Sequence, residues 1–344
     1  MPRLALAALL LAPLITGCGI AGSAKIEAPV TVYVSLPLTG PRGADGRDAA
    51  DGARLALEQA QGRAGSIQVR ATYLDDAKGR VWDPVAVGAN ARQAVQDSSA
   101  AAYIGELDSE PTRASAPITN EAGLVQVSPG AGGVDLTQPA AGYPDSPDRY
   151  RPSGSPNFAR TVPADDVVAD AAANWASELG ATQAAVTSDG SAFQNLAASE
   201  FKSAATEHGV EVVPGPAAAA YEPASGRLTV DRRTYQVSAG LDPKRLPGRF
   251  DSQFAQRYHR NPGTFAAYGY EAMGLVLQAI AGAGTDSSSF RDNVRNSVFG
   301  AHRDSTVLGS YSITDEGDTT ECMIQRYRVQ GPSLVPLGAP CPPG

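Results

Sequence analysis

Histidine, methionine and cysteine are scarce in this chain of 344 residues, three of each. Three scattered histidines support no metal cage. No Gly-x-Ser-x-Gly elbow, His-Glu-x-x-His helix or Gly-x-x-x-x-Gly-Lys-Ser/Thr phosphate loop occurs either. The sequence therefore predicts neither an enzyme nor a metal or other cofactor. His208 reads as a cation at a helix C-terminus, and His259 and His302 lie in charged, surface-like surroundings. Positive charge is short as well. Twenty-eight Lys and Arg against thirty-six Asp and Glu leave a net charge of −8, which argues against a nucleic-acid or anionic-membrane surface. The N-terminal apolar run from Leu4 to Ile15, about twelve residues, is too short to cross a hydrocarbon core ~30 Å thick.

That run, preceded by Arg3 and followed by Thr16, Gly17 and Cys18, reads as a signal peptide over residues 1–17. Ile15-Thr16-Gly17-Cys18 resembles the bacterial lipobox, which implies lipidation of Cys18, a tether over 18–29, and a location on the outer face of the cytoplasmic membrane. Ordinary cleavage, with Cys18 incidental, is the alternative. The other two cysteines, Cys322 and Cys341, are placed to form a disulfide in an oxidising compartment. Closing that loop is worth roughly 3 kcal/mol in the chain-entropy model. Metal binding by the pair is disfavoured, because the spacing fits no zinc pattern.

Forty-two per cent hydrophobic composition and the length left after the leader suit two domains of ordinary size. The pattern then alternates. Val30 to Leu36 is β-rich, a turn-rich loop runs through Thr39 to Gly46, and Asp51 to Gln59 reads as an amphipathic helix. Strands at 67–74, 101–104 and 124–128 alternate with helices at 83–97 and 110–122, which implies a parallel sheet covered by helices. Five prolines between Pro139 and Pro156 mark a long surface connection. A second series follows: a helix to Leu179, a strand at 183–187, and a helix over 191–208 whose stripe is Phe193, Leu196, Ala197, Phe201 and Ala204. Short strands at 210–213, 227–230 and 234–238, a long apolar helix within 263–282, and a hairpin connection at Asp315-Glu316-Gly317-Asp318 complete the chain.

In parallel-sheet proteins ligands sit beyond the carboxyl ends of the strands, which singles out the loops 38–47, 105–112 and 128–135. Ser109 reads either as a helix cap alone or as a cap that also touches a ligand. Leu36-Pro37-Leu38-Thr39-Gly40-Pro41, then Asp51-Gly52-Ala53-Arg54-Leu55-Ala56, open a series of motifs. Tyr103-Ile104-Gly105, Ser109, Ala116-Pro117-Ile118, Glu121-Ala122-Gly123, Val127-Ser128-Pro129, Phe158-Ala159-Arg160-Thr161 with Asp165, and Tyr268-Gly269-Tyr270-Glu271-Ala272 follow in order. In that order and over most of the chain they resemble the leucine and branched-chain amino-acid receptors of ABC importers. The resemblance implies an α/β, two-lobed type I periplasmic-binding fold, with parallel sheets flanked by helices and ligand clamped by hinge closure. The expected division is 30–160 with 249–308 for lobe 1, and 161–248 with 309–340 for a reduced lobe 2.

Carried over by position, Ser109 matches the serine that holds a ligand carboxylate, and Gly130 and Ala131 match backbone positions of the facing loop. Gly132 falls where a threonine hydroxyl commonly helps, Asp45 where an aromatic often covers the ligand, and Phe193 on a second-lobe aromatic. Two βα units usual after Val213 are missing, and with them the acid that pairs with an amino acid's ammonium. Glu222 and Asp231 lie in the remnant. The expected function is a binding protein that presents a small polar solute, an amino acid or carboxylate-like, to an ABC permease. The alternative is a diverged lipoprotein of the same fold acting as a sensor or protein-interaction module.

Overall fold

The computed structural model describes residues 25–341 except residue 27. The leader over 1–17 and Cys18 lie outside the described residues. The first lobe contains β1 (Val30–Leu36), α1 (Gly43–Gln59), β2 (Arg63–Ala64), β3 (Ile67–Asp75), α2 (Pro84–Gln96), β4 (Ala100–Ile104), α3 (Ser109–Glu121), β5 (Gln126–Ser128) and β6 (Phe158–Arg160). Its sheet has the order β2-β3-β1-β4-β5-β6, parallel except where β2 meets β3.

The Val-Thr-Val-Tyr-Val-Ser-Leu alternation of β1 shows why this sheet is covered on both faces. Val30, Val32, Val34 and Leu36 enter the main core, whereas Tyr33 enters a smaller one with Ala91 and Ala94 of α2. Every residue of β1 is buried.

The second lobe begins with α4 (Asp165–Glu178), β7 (Gln183–Val186), α5 (Ala192–Glu207), β8 (Glu211–Val212), β9 (Ala219–Glu222), β10 (Arg227–Val230) and β11 (Arg233–Ser238). The chain then returns to lobe 1 with α6 (Phe250–Tyr258), α7 (Ala266–Gly282), α8 (Phe290–Val298) and the hairpin β12 (His302–Thr306) with β13 (Gly309–Ser312). It ends on β14 (Gln325–Gln330) and β15 (Ser333–Gly338). The second sheet, β15-β14-β11-β10-β9-β7-β8, is parallel only where β7 meets β8 and β9. The remaining pairs are antiparallel. Short connections impose that for β9 with β10, β10 with β11 and β14 with β15, because a few residues can reverse a chain whereas a parallel crossover needs a dozen or more; β14 joins β11 after the excursion through lobe 1.

Helix α7 lies across α1, and glycine lets them approach. A Cβ on Gly52 would overlap the Ala266 carbonyl oxygen, and one on Gly269 the Ala49 carbonyl oxygen. The same requirement explains why α1 starts eight residues earlier than the turn-rich segment suggested. Gly46 is not turning the chain; it lets α1 pass over the Pro37 carbonyl.

Several expectations are corrected by packing. Leu308, Tyr311 and Ile313 sit in the lobe 1 core, as do Leu241 and Phe250, while Ile324 is the first residue of the last segment in the lobe 2 core. The boundary expected at 248/249 therefore falls earlier, before Leu241, and the one expected at 308/309 falls later, between Ile313 and Ile324. The 18–29 tether is shorter than expected at its far end, because Lys25 bridges to Asp286 and the Ile26 N–H donates to the Thr285 carbonyl at 2.9 Å. Cys322 and Cys341 form a disulfide with Cα atoms 4.9 Å apart, joining the segment before β14 to the end of β15. No described helix is long and apolar enough to cross a membrane.

Candidate functional site

Four segments converge where the parallel strands of lobe 1 end: Pro37–Arg42 after β1, Gly105–Asp108 after β4, Pro129–Gly133 after β5 and Thr161–Ala164 after β6. Facing them are the start of α5 and the β9–β10 and β11 ends of lobe 2. Two adjoining cavities of about 440 and 460 Å³ lie between. Arg42, Gly130, Gly132 and Asp165 line both, so they form one cleft. Ser109, Trp82 and Phe193 line the first cavity; Asp45, Phe265 and the Pro223–Gly226 turn line the second.

The lobe 1 wall is held from below by Ser128 and Arg160. Ser128 Oγ accepts the N–H groups of Gly130 (3.1 Å) and Ala131 (2.8 Å) and donates to the Glu106 carbonyl at 2.6 Å. Arg160, fully buried, donates Nη1 to the carbonyls of Ala131 and Gly133, Nη2 to Thr137 Oγ1 at 2.5 Å, and Nε to Asp318 Oδ1 at 2.7 Å. Arg160 thus connects the cleft loop to the last crossing between lobes. Beside it, the Thr161 hydroxyl donates to the Tyr268 carbonyl (3.2 Å) and the Tyr268 hydroxyl to Ala239 (2.6 Å), tying the first crossing to the second.

These bonds correct the roles implied for three residues. The N–H groups of Gly130 and Ala131 are taken by Ser128, and Ala131 is fully buried and lines neither cavity. Ser109 is not the cap of α3; that place belongs to Asp108, whose carboxylate accepts from Arg42 instead of capping. Ser109 follows it, and its Oγ accepts the Gly133 N–H at 2.8 Å. Its own hydroxyl proton remains available to the cleft. Phe193 belongs to no buried stripe: it is 38% exposed and faces the cavity from lobe 2. Asp45 pairs with Arg42 at 2.8 Å in the first turn of α1. Glu222 accepts from Ser225, and Asp231 sits at the β10–β11 turn, so neither lines the cleft.

Charge in the cleft is mostly negative and mostly paired. Arg113 donates to Asp135 through Nε (2.8 Å) and Nη2 (2.6 Å), and to Glu110 through Nη1 (2.9 Å), with its guanidinium over the Tyr143 ring. Asp165 is different. Its N–H donates to the Gly132 carbonyl at 2.8 Å, yet no described residue donates a hydrogen bond to its carboxylate. Burial pushes that carboxyl up to about 6.

Sequence reasoning singled out neither Trp82, Arg42 nor Arg113. A tryptophan in a loop after a parallel strand was the available signal for the first. Elsewhere, Asp76 and Glu106 are almost wholly buried behind the cleft loops, with Asp76 Oδ1 and Oδ2 and Glu106 Oε2 unpaired. Burial raises both carboxyls, Asp76 to about 6; the charges of Asp75 and Asp108 add to the shift of Asp76, and that of Asp76 to the shift of Glu106. No group of three or more His, Cys, Asp or Glu among the described residues could hold a metal ion.

Two α/β lobes joined by three crossings, with a cleft at the carboxyl ends of one parallel sheet, define a two-lobed binding protein. The sequence matches the family model for periplasmic binding protein over residues 29–225, more than half of the chain, and the chain belongs to that family. No curated protein matches it in sequence. Among solved structures it is similar to a leucine-binding protein from Thermotoga maritima, at 20% identity and a TM-score of 0.69, covering 91% of this chain and 99% of that one. An ABC transporter substrate-binding protein from Desulfitobacterium hafniense in complex with Leu gives 18% identity and a TM-score of 0.69, covering 90% and 100%. A solute-binding protein of an ABC transporter from Rhodopseudomonas palustris in complex with p-hydroxybenzoic acid gives 16% identity and a TM-score of 0.71, covering 92% and 98%. At these identities the likeness shows the type I periplasmic-binding fold.

Proposed function

We propose that this chain is an extracytoplasmic receptor of an ABC importer, which encloses a small polar solute between its lobes and presents it to a permease. The observation that carries the proposal is the single cleft lined from both lobes at the carboxyl ends of the first parallel sheet. Closure bends the three crossings near residues 161–164, 239–241 and 314–323, which Arg160 and Tyr268 tie together. Receptors similar in fold are described with Leu or a hydroxybenzoic acid bound, which places an amino acid or a carboxylate-like solute among the first to test here. Export and a lipid on Cys18 complete the proposal, and mass spectrometry of the N-terminal peptide tests them.

The decisive experiment is a thermal-shift screen of the full chain in detergent against amino acids, amides, amines and small carboxylates. Saturation at 100 times the dissociation constant adds about 2.7 kcal/mol. A shift accompanied by a smaller radius of gyration supports the receptor; a folded sample silent to the whole panel overturns it. The second reading, a sensor or protein-interaction module, is favoured by one observation: Val85, in the first turn of α2, is 74% exposed outside the cleft.

A further inference from the structure

The receptor reading leaves open which charge the cleft selects. We infer that it is built for a small organic cation with an apolar body, an alkyl- or arylamine, whose ammonium pairs with Asp165 in the cavity that Trp82 and Phe193 also line. The inference rests on the receptor reading and sharpens it.

An anion finds little to hold it. The N–H groups of Gly130 and Ala131 are spent on Ser128, and that of Gly133 on Ser109. The two arginines of the cleft are likewise committed, Arg42 to Asp45 and Asp108, and Arg113 to Asp135 and Glu110. Four acids, Asp45, Asp108, Glu110 and Asp165, line the two cavities against those two arginines. The donors left in the lobe 1 wall are the Ser109 hydroxyl and the N–H groups of Gly132, Ser109 and Glu110, and the Asp165 carboxylate, seated against Gly132, repels an anion that would approach them.

A cation, by contrast, meets an unengaged partner. The Asp165 carboxylate lines both cavities without accepting a hydrogen bond from any described residue. The two cations that act on it are occupied: Arg160 with Asp318, Thr137 and two carbonyls, and Arg113 as above. Gly132 makes this possible, because a Cβ there would overlap the Asp165 carboxylate. The position that the resemblance assigns to a threonine hydroxyl is filled here by an acid. Around it, Val81, Trp82, Pro111 and Phe193 give the first cavity apolar and aromatic walls. A carboxylate beside aromatic faces suits an ammonium group on a hydrocarbon body, through a charge-assisted hydrogen bond and cation–π attraction.

The groups that act on Asp165 are Arg160 from β6, Arg113 from α3, Asp135 after β5 and the adjacent Asp166. Tyr143 and Tyr221 feel its charge in turn. With its carboxyl at about 6, Asp165 is ionised at pH 7.5 and mostly protonated at pH 5. Protonation removes the counter-ion, so amine affinity falls as pH drops through 6.

The test is calorimetric titration of the full chain with benzylamine and isoamylamine against benzoate, isovalerate and leucine. At pH 7.5 the amines are expected to bind at least tenfold more tightly than the matched acids. Asp165→Asn is expected to weaken the amines by at least tenfold, and its melting temperature shows whether the variant is folded. The wild-type chain needs no variant: its amine affinity should fall by about tenfold from pH 7.5 to 5, the ratio set by a carboxyl near 6. Acids or leucine binding while the amines do not overturns the inference and leaves the receptor standing. Amine binding indifferent to both Asp165→Asn and pH also overturns it. Silence of every probe overturns the receptor and this inference together.

Discussion

The two lobes solve the same problem with different strand arrangements. In lobe 1 a parallel sheet is covered on both faces, and β1 and β4 are buried along their whole length. In lobe 2 the strands alternate, with Tyr235 and Val237 of β11 buried against the α4 side and Thr234, Gln236 and Ser238 half-exposed. Where crossover helices are few, hairpins rebuild the sheet, and the opposite wall of the cleft is then supplied by turns such as Pro223–Gly226. A binding cleft between lobes thus tolerates replacement of βα units on one side, provided the other side keeps its loops.

The largest effect should come from cutting the tie between lobes. Arg160→Ala leaves Asp318, Thr137 and two loop carbonyls without their donor, and is expected to cost about 3–5 kcal/mol in urea unfolding, the range for breaking a buried pair. Loss of cooperativity between lobe-specific probes would accompany it; an unchanged midpoint would show that the lobes are held by other contacts. Next, replacing Cys322 and Cys341 by Ala should cost roughly 3 kcal/mol. Hydrogen exchange should quicken in β14 and β15 and stay slow in β1 and β4. Equal quickening in both sheets would erase the distinction between the lobes.

A change confined to lobe 1 runs in the opposite direction. Asp76 has its folded-state carboxyl raised to about 6, so this group favours folding at low pH and loses that contribution as pH rises from about 4 through 6. Asp76→Asn removes the ionisation and supplies a donor toward Glu106. It should stabilise by about 1–2 kcal/mol at pH 7.5, with the gain shrinking by pH 5. A gain independent of pH would exclude the buried acid pair as its source. The smallest effect belongs to Ser109→Ala, which removes the acceptor of the Gly133 N–H and one cleft hydroxyl. Solute binding should weaken by about 1 kcal/mol with little change in melting temperature; unaltered affinity would remove Ser109 from the site.

The same contrast decides what could be read from the sequence. β1 was legible to the residue because its β-rich run is bounded by a proline and a turn, and α5 because Leu196, Ala197, Phe201 and Ala204 recur at helical spacing and are buried. β9 was not, since Ala219-Ala220-Tyr221-Glu222 has little intrinsic strand preference and is extended by its partners β7 and β10. α6 and α8 were passed over as well, although Phe290, Val294 and Val298 recur at helical spacing and are all buried. At the cleft, Ser109, Gly130, Gly132 and Phe193 could be placed by motif order, but whether an N–H group is free depends on Ser128 and Ser109 reaching back to it. That is a three-dimensional fact with no linear signature. Asp165 stood in a motif without a role for the same reason: its significance comes from Gly132 opposite and from neighbours already occupied.

The glycine-mediated crossing of α1 and α7 has a consequence for the order in which the molecule is assembled. α1 is made early, but the helix that covers it is not finished until residue 282. The contiguous run from α4 through β11 needs only local reversals to begin its own sheet. An emerging chain would therefore complete part of its second lobe while the first still waits, uncovered, for its partner helix. That interval is when the apolar faces of β1 and α1 are most open to wrong partners and most need a chaperone.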